Sequence, residues 1–341
     1  MALAKHVMIF RFSAMGDVAM LVPVLRCLYA QNPKVRVTLV TRQRFTPIFK
    51  EFLDLEIITP DFNGQHKGLK GLYHLFKELK KKKPQRIADI HKNLRSRVLR
   101  LFFAFSPWVR TRVMNKGYRD RAKLTHPTKK TMKPLTPQHY RYIEVFSRLG
   151  FLLDLDNHEF PLKPGLPTTA LEVNLPADKK WIGIAPFAAH QGKVYPLDLM
   201  QKVVGYLQQD HTVFLFGHGK KEAHQINVWA KAYPNVVPKA LQMSFSDQLD
   251  LIANLDVMVS MDSANGHLAA NYGVPVVTLW GMTHPFLGFA PFQQNHALMV
   301  DRTMFPKVPT SAYGKKIPKG YEEAMRTIAP ETVIEKVLEI I

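Results

Sequence analysis

Residues 6–31 read HVMIFRFSAMGDVAMLVPVLRCLYAQ, and this stretch decides the fold. Its first seven residues are an apolar run with β-branched and aromatic side chains, the pattern of a buried strand. The turn-forming SAMGD follows, and then an apolar run of helical length in which Pro23 predicts a bend or interruption. A helix apolar on nearly every side belongs against a sheet. The unit therefore reads as strand, loop, helix.

Working outward, VRVTLVT (35–41) reads as a strand, 46–52 as a helix and LEIITP (55–60) as a further strand. Residues 71–83 form a basic amphipathic helix stopped by Pro84, RIADIHK (86–92) a strand running into a loop, and NLRSRVLRLFFAF (93–105) a helix. Residues 110–137 are a long basic excursion with weak periodicity, and a helix over 138–149 closes the first half. Pro161, Pro164, Gly165 and Pro167 mark a linker, after which WIGIAP, TVFLFG, VVPK, VMVSM and VVTLWG restart the alternation. Alternating β and α elements predict an α/β protein of two Rossmann-like parallel-sheet domains, 1–165 and 166–328, facing across a cleft at the carboxyl ends of their strands. The terminal helix, 329–341, carries apolar residues at helical spacing, and the N-terminal domain is one surface on which it is expected to dock.

The 341 residues are 46% apolar and 22% charged, enough for two cores. Cys27 is the only cysteine, which excludes an internal disulfide and points to a reducing compartment. No uncharged apolar segment approaches the length of a membrane span, and the first residues lack the pattern of a secretion signal, so a cytoplasmic protein is expected. The net charge of +20 is uneven: residues 1–165 hold 32 Lys and Arg against 12 Asp and Glu, whereas residues 166–341 hold 15 against 15. A field of that size attracts nucleic acid, an anionic membrane surface or a phosphorylated substrate, and composition does not choose among them.

Four strand ends carry candidate chemistry. In Ser13-Ala14-Met15-Gly16-Asp17 the acid suits a helix cap, and the same carboxylate after the first strand is placed to accept a proton from a substrate hydroxyl. The run Ser260-Met261-Asp262-Ser263-Ala264-Asn265-Gly266-His267 follows a strand and opens a helix, a place suited to a phosphate or to a simple cap. Lys193, in the loop after WIGIAP, is within reach of a phosphate as a mobile point charge, and Glu222, after the GHGK turn, of a ribose diol. The Asp154–Asp156 pair lies near the linker and reads as surface, so no metal site is expected.

In this order the motifs resemble those of the lipopolysaccharide core heptosyltransferases, glycosyltransferase family 9, with the two-domain GT-B fold. FRFSAMGDVAMLVPVLRCL resembles the family's opening strand, loop and helix, IADIHKNLRS its acceptor-domain segment and HYRYIEVFSRLG its helix before the linker. GKVYP and SMDSANGHLAANYGVPVVTLWGMTHP resemble its donor-site segments, with Ser263 and Ala264 where the family usually has threonine and glycine. The resemblance implies inverting, metal-independent transfer of a heptose or related sugar from an ADP-sugar to a lipopolysaccharide inner-core or lipid A acceptor, with no bound cofactor. It implies Asp17 as general base, Lys193, Glu222, Asp262, Ser263, Ala264 and His267 around the donor, and Ser13, Gly16, His91 and Asn93 toward the acceptor.

Charge and segment position add Arg95, Arg97, Arg100, Arg110, Arg112, Arg119 and Arg121 as candidate contacts to acceptor phosphates. The basic half then fits a phosphorylated glycolipid at the cytoplasmic face of an anionic inner membrane, and a monomer is expected. Two other readings stand beside this one. A nucleic-acid-binding protein would use the basic residues 79–83 and 95–123, although it lacks a recognisable module and interleaved aromatics. A noncatalytic relative would bind a sugar nucleotide without turning it over.

Overall fold

The structure, a computed structural model, describes residues 5–166 and 178–341 and divides them into two compact units. Pro167 of the expected linker lies outside the described residues.

The first unit comprises residues up to Lys116 together with 138–159. Its five strands are β1 (His6–Phe10), β2 (Arg36–Val40), β3 (Glu56–Ile58), β4 (Arg86–Asp89) and β5 (Arg110–Val113), all parallel in the order β3-β2-β1-β4-β5. Central β1 is buried along its whole length, as its continuous apolar run requires of a strand covered on both faces. Phe10 stands opposite Val40 on one side and Asp89 on the other, so the chain leaves the sheet at Arg11 with both neighbours ending beside it.

Pro23 acts as expected. The helical run is split into α1 (Met15–Ala19) and α2 (Val22–Gln31), and the proline sits at the second position of α2, where its missing N–H has no partner to lose. The basic amphipathic helix is α3 (Gly68–Lys81), which buries Leu72, Leu75, Phe76 and Leu79 against the sheet core. Its neighbour α4 (Leu94–Phe103) starts with a capping box: the Asn93 side chain accepts from Ser96 N at 2.9 Å, and Asn93 N donates to Ser96 Oγ at 3.0 Å.

The excursion departs from the expected domain boundary. Residues 110–113 form β5, and the chain then leaves this unit through α5 (Tyr118–Leu124) before returning with α6 (Gln138–Ser147). Residues 117–137 belong to the second unit, not to a continuous 1–165 domain. They are fastened there by polar contacts distant in sequence. Lys130 Nζ donates to Lys307 O at 3.2 Å and Pro309 O at 2.7 Å, and Leu135 N donates to Phe286 O at 2.8 Å. Burial, and then Arg302, lower the Lys130 ammonium to about 8. The charge divides accordingly: 25 Lys and Arg against 11 Asp and Glu in the first unit, and 22 against 16 in the second.

From residue 160 onward the second unit holds β6 (Trp181–Ala185), α7 (Leu197–Leu207), β7 (Thr212–Leu215), α8 (Lys220–Ala232), β8 (Val236–Val237) and α9 (Phe245–Ala253). They are followed by β9 (Val257–Met261), α10 (Ala264–Ala270), β10 (Val276–Trp280), β11 (Ala297–Met299) and α11 (Pro330–Leu338). The six strands are parallel in the order β11-β10-β9-β6-β7-β8. The terminal helix is part of the second unit and not a segment of its own. Val333 and Val337 of α11 lie in the second unit's core with Met200 and Val203 of α7 and Leu279 of β10.

Three histidines shielded from water make the fold acid-sensitive. His91 is pushed down to about 3 by burial, with Arg11, Lys116, Arg42 and Arg95 adding to it. His158 and His284 are each pushed to about 4, by burial and then by Arg26 and Arg302 respectively. Each is neutral when folded and takes up a proton when unfolded below its ordinary value of 6.5, so the unfolded chain binds more protons there. Stability therefore falls as pH drops through 6.5 toward about 5, above the range where carboxylates titrate. Urea unfolding at stepped pH should show midpoints declining across that window; constant midpoints would contradict the burial of these rings.

Candidate functional site

In the first sheet the chain order reverses between β1 and β4, and open parallel sheets leave a crevice outside the carboxyl ends of such a strand pair. The loop after β1 brings Arg11 and Ser13 there, the first turn of α1 brings Gly16 and Asp17, and the loop after β4 brings His91. Arg11 is buried to 3% exposure. Its Nη1 donates to Ile90 O at 2.6 Å, its Nη2 lies 2.5 Å from Asp17 Oδ2, and its guanidinium sits 5.8 Å over the Tyr142 ring. Tyr142 in turn donates its hydroxyl to Asp17 O at 2.9 Å. Asp17 is thus held from two sides, and its side chain remains 27% exposed. No side chain caps α1, so Asp17 is not a helix cap; it lies in the first turn.

His91 packs edge-on against Phe12, with ring centroids 5.0 Å apart. Its buried Nδ1 has no hydrogen-bond partner among the described residues. Burial is the largest cause disfavouring its protonation, followed by Arg11, Lys116, Arg42 and Arg95. A neutral ring among four cations describes a place prepared for an anion. Asp89 fixes the loop: Oδ1 accepts from His91 N at 3.1 Å and Lys92 N at 2.7 Å, while Oδ2 pairs with Arg100 Nε at 2.7 Å.

The remaining candidates of this group divide. Arg95 stands near His91 and lies 4.8 Å over Phe62. The carbonyl-type oxygen of the Asn93 side chain is committed to capping α4, and Arg100 to Asp89. Arg97 is exposed on α4, Arg112 is exposed within β5, and Arg110 opens β5 at the amino end of the strand, away from the crevice. Arg119 and Arg121 belong to the second unit, a correction to their placement beside the others; Arg121 is buried with its guanidinium 4.3 Å over Phe289. Arg11, Arg42 and Lys116 were not among the expected contacts. A buried arginine has no signature in a chain with so many surface cations.

The second sheet reverses between β6 and β9. Lys193, in a short 3₁₀ turn after β6, reaches Asp262 just beyond β9: Nζ lies 2.7 Å from Oδ2 and donates to the Asp262 carbonyl at 3.1 Å. Both side chains are largely buried, at 15% and 5% exposure. The turn is pressed onto the loop after β10, where Met282 N donates to Gly192 O at 2.6 Å, and a Cβ at Gly192 would stand 2.5 Å from Gly314 O. Only glycine fits so close an approach.

Ser263 occupies the N-cap position of α10 without capping it by its side chain. Ser260 serves instead, accepting from Gly266 N at 3.1 Å and lying 3.1 Å from Ser263 Oγ. Ala264 is the first helical residue and His267 is buried one turn on. Glu222, in the first turn of α8, accepts from His218 N at 2.7 Å and so closes the GHGK turn with one oxygen. Thr283 was not anticipated: next to Met282, it buries a hydroxyl that has no partner among the described residues. Asp154 is engaged with its own turn, accepting from Asp156 N and Asn157 Nδ2.

Similarity to known proteins bears on the fold and the family. A lipooligosaccharide heptosyltransferase 2 of Campylobacter jejuni is 28% identical over 165 residues, 46% of this chain; the match spans half, 50%, of that relative's length. The crystal structure of a family 9 glycosyl transferase from Veillonella parvula has a TM-score of 0.75 at 19% identity, covering 100% of this chain and 98% of that one. The Escherichia coli ADP-heptose lps heptosyltransferase II has a TM-score of 0.69 at 19% identity, covering 98% of each. These likenesses identify the two parallel-sheet units as a GT-B fold. Residues 72–308 match the profile of glycosyltransferase family 9 (heptosyltransferase), and with that match over most of its length the chain belongs to this family.

Proposed function

We propose that the chain is an inverting glycosyltransferase that moves a heptose or related sugar from an ADP-sugar to a phosphorylated lipopolysaccharide inner-core or lipid A acceptor, working as a monomer at the cytoplasmic face of the inner membrane. The observation that carries the reading is Asp17, partly open to solvent at the end of the central strand and aimed by a buried guanidinium. In the reaction the acceptor hydroxyl gives its proton to the Asp17 carboxylate as its oxygen bonds to the anomeric carbon. The bond from that carbon to the diphosphate breaks, and its electron pair leaves with the diphosphate oxygen. Attack from the face opposite the leaving group inverts the configuration.

The second unit supplies the other half. Lys193 and the start of α10 at Ser263 and Ala264 meet the diphosphate's charge, so the reading needs no metal for this task; Asp262 and His267 stand by the donor sugar and pyrophosphate, and Glu222 by the ribose. On the first unit, Ser13, Gly16 and the cations around His91 would receive the acceptor's anionic groups. The reading requires both sites to serve one donor and one acceptor in each turnover.

Replacing Asp17→Asn keeps the shape and removes the proton acceptor, so kcat should fall by about 10²–10⁴-fold. ADP should still raise the melting temperature of the variant as it does that of the parent, and more than UDP or GDP does; transfer at the parental rate would refute the base. Arg11→Lys loses the planar fork that joins Ile90 O to Asp17. Its kcat should drop by about 10- to 100-fold with the donor KM unchanged, as expected when a reacting group is misplaced by a fraction of an ångström. A change confined to the donor KM would place Arg11 elsewhere in the mechanism.

A further inference from the structure

We infer that the exposed face formed by α3, α4 and residues 104–112 of the first unit is a docking surface for an anionic lipid bilayer. Leu94 and Leu101 recur at helical spacing on α4, Phe105 and Trp108 lie in the turns just beyond it, and the four are 76%, 57%, 88% and 67% exposed. Leu69 and Tyr73 of α3 are exposed as well. The two helices are joined through Phe102, whose ring lies 5.5 Å from both Tyr73 and Phe76. Four large apolar side chains exposed within fifteen consecutive residues are a concentration, not scattered exposure.

Charge selects the occupant. Residues 67–112 hold 14 Lys and Arg and only two acids, Glu78 and Asp89. Both acids are engaged: Asp89 is buried against Arg100, and Glu78 lies 3.3 Å from His66. The long Lys77 and Lys80 side chains lie over the Tyr73 and Phe76 rings, covering aromatic surface with methylenes while presenting ammonium groups. A second copy of this face would bring like charge against like. Nucleic acid would meet the cations and leave leucines such as Leu94 and Leu101 without a role, because its phosphates offer them nothing to bury against. An anionic bilayer satisfies both features, with headgroups for the lysines and arginines and the acyl boundary for Trp108, Phe105 and the leucines. This docking rests on the proposed glycolipid acceptor for its purpose: it would bring the first unit to the surface in which the acceptor is embedded.

Flotation of the full chain with phosphatidylcholine vesicles, with and without phosphatidylglycerol, tests the assignment. Binding should require phosphatidylglycerol. It should weaken about tenfold or more in Phe105→Ser/Trp108→Ser, because two large side chains no longer leave water. It should weaken comparably in Lys77→Glu/Lys81→Glu. All four side chains are exposed, so circular dichroism should match the parent. Transfer to a water-soluble, deacylated phosphorylated acceptor should be unchanged in Phe105→Ser/Trp108→Ser, while transfer to the same acceptor anchored in vesicles should fall. Parental binding by either double variant, or vesicle binding indifferent to phosphatidylglycerol, would overturn the inference. So would a parental dimer that Phe105→Ser/Trp108→Ser converts to monomer, or duplex DNA binding that outlasts vesicle binding as salt is raised. Should the parent dock through these residues and transfer no sugar to either acceptor, the docking surface stands and the transferase reading fails.

Discussion

At the reversal point of each sheet, two neighbouring parallel strands end beside one another. In both units a cation with a largely buried side chain, from the loop after the unit's first strand, donates to the carbonyl just beyond the neighbouring strand. Arg11 donates to Ile90 O just beyond β4, and Lys193 to Asp262 O just beyond β9. Each cation also holds a carboxylate, Asp17 in one case and Asp262 in the other. A charged donor on a buried carbonyl is stronger than a neutral one, and deleting it would leave both the carbonyl and a carboxylate uncompensated. The same contact at each strand pair therefore sets the candidate carboxylate in place. Fold and site are secured by one interaction in each unit.

The two sites differ in how many cations act on them. In the second unit Lys193 and Asp262 balance one another. In the first, Arg11 is matched to Asp17, and Arg42, Arg95 and Lys116 add positive potential at a histidine already stripped of water. Burial first, and then the four cations among which protonation would place a fifth, keep the His91 ring neutral far below the ordinary range. The neutral ring can still donate or accept a hydrogen bond, so it offers polar contact to an anion without adding to the repulsion its absence leaves behind.

Much of this was legible in the chain because the signals are local. The run HVMIFRF, the SAMGD turn and the proline-interrupted helix each follow from side chains within a few residues, and the structure places them so. The excursion was not legible. Its attachment depends on Lys130 meeting the carbonyls of Lys307 and Pro309, a contact across more than 170 positions that no periodicity records. Strand β11 is three residues long and too short to show alternation. Arg11 was overlooked for a different reason: charge counting treats every arginine as surface, whereas this one is defined by the carbonyl and the carboxylate that the fold brings to it. Conversely, Asn93 and Arg100 looked available because their partners, Ser96 and Asp89, are drawn in only when the loop after β4 closes.

The Lys193–Asp262 pair also links the two parts of a sugar nucleotide in the proposed reaction. An arriving diphosphate competes for the ammonium group, and the Asp262 carboxylate, 5% exposed, would then lose its main compensation in a site nearly closed to water. Hydroxyls of the donor sugar can restore it by donating hydrogen bonds to the same oxygens. A nucleotide carrying the sugar therefore replaces what it takes, whereas one without the sugar leaves a buried carboxylate short of partners. The preference for an intact donor over its spent nucleotide would follow from that imbalance, and it would rest on a carboxylate that touches the sugar while the lysine beside it touches the phosphate.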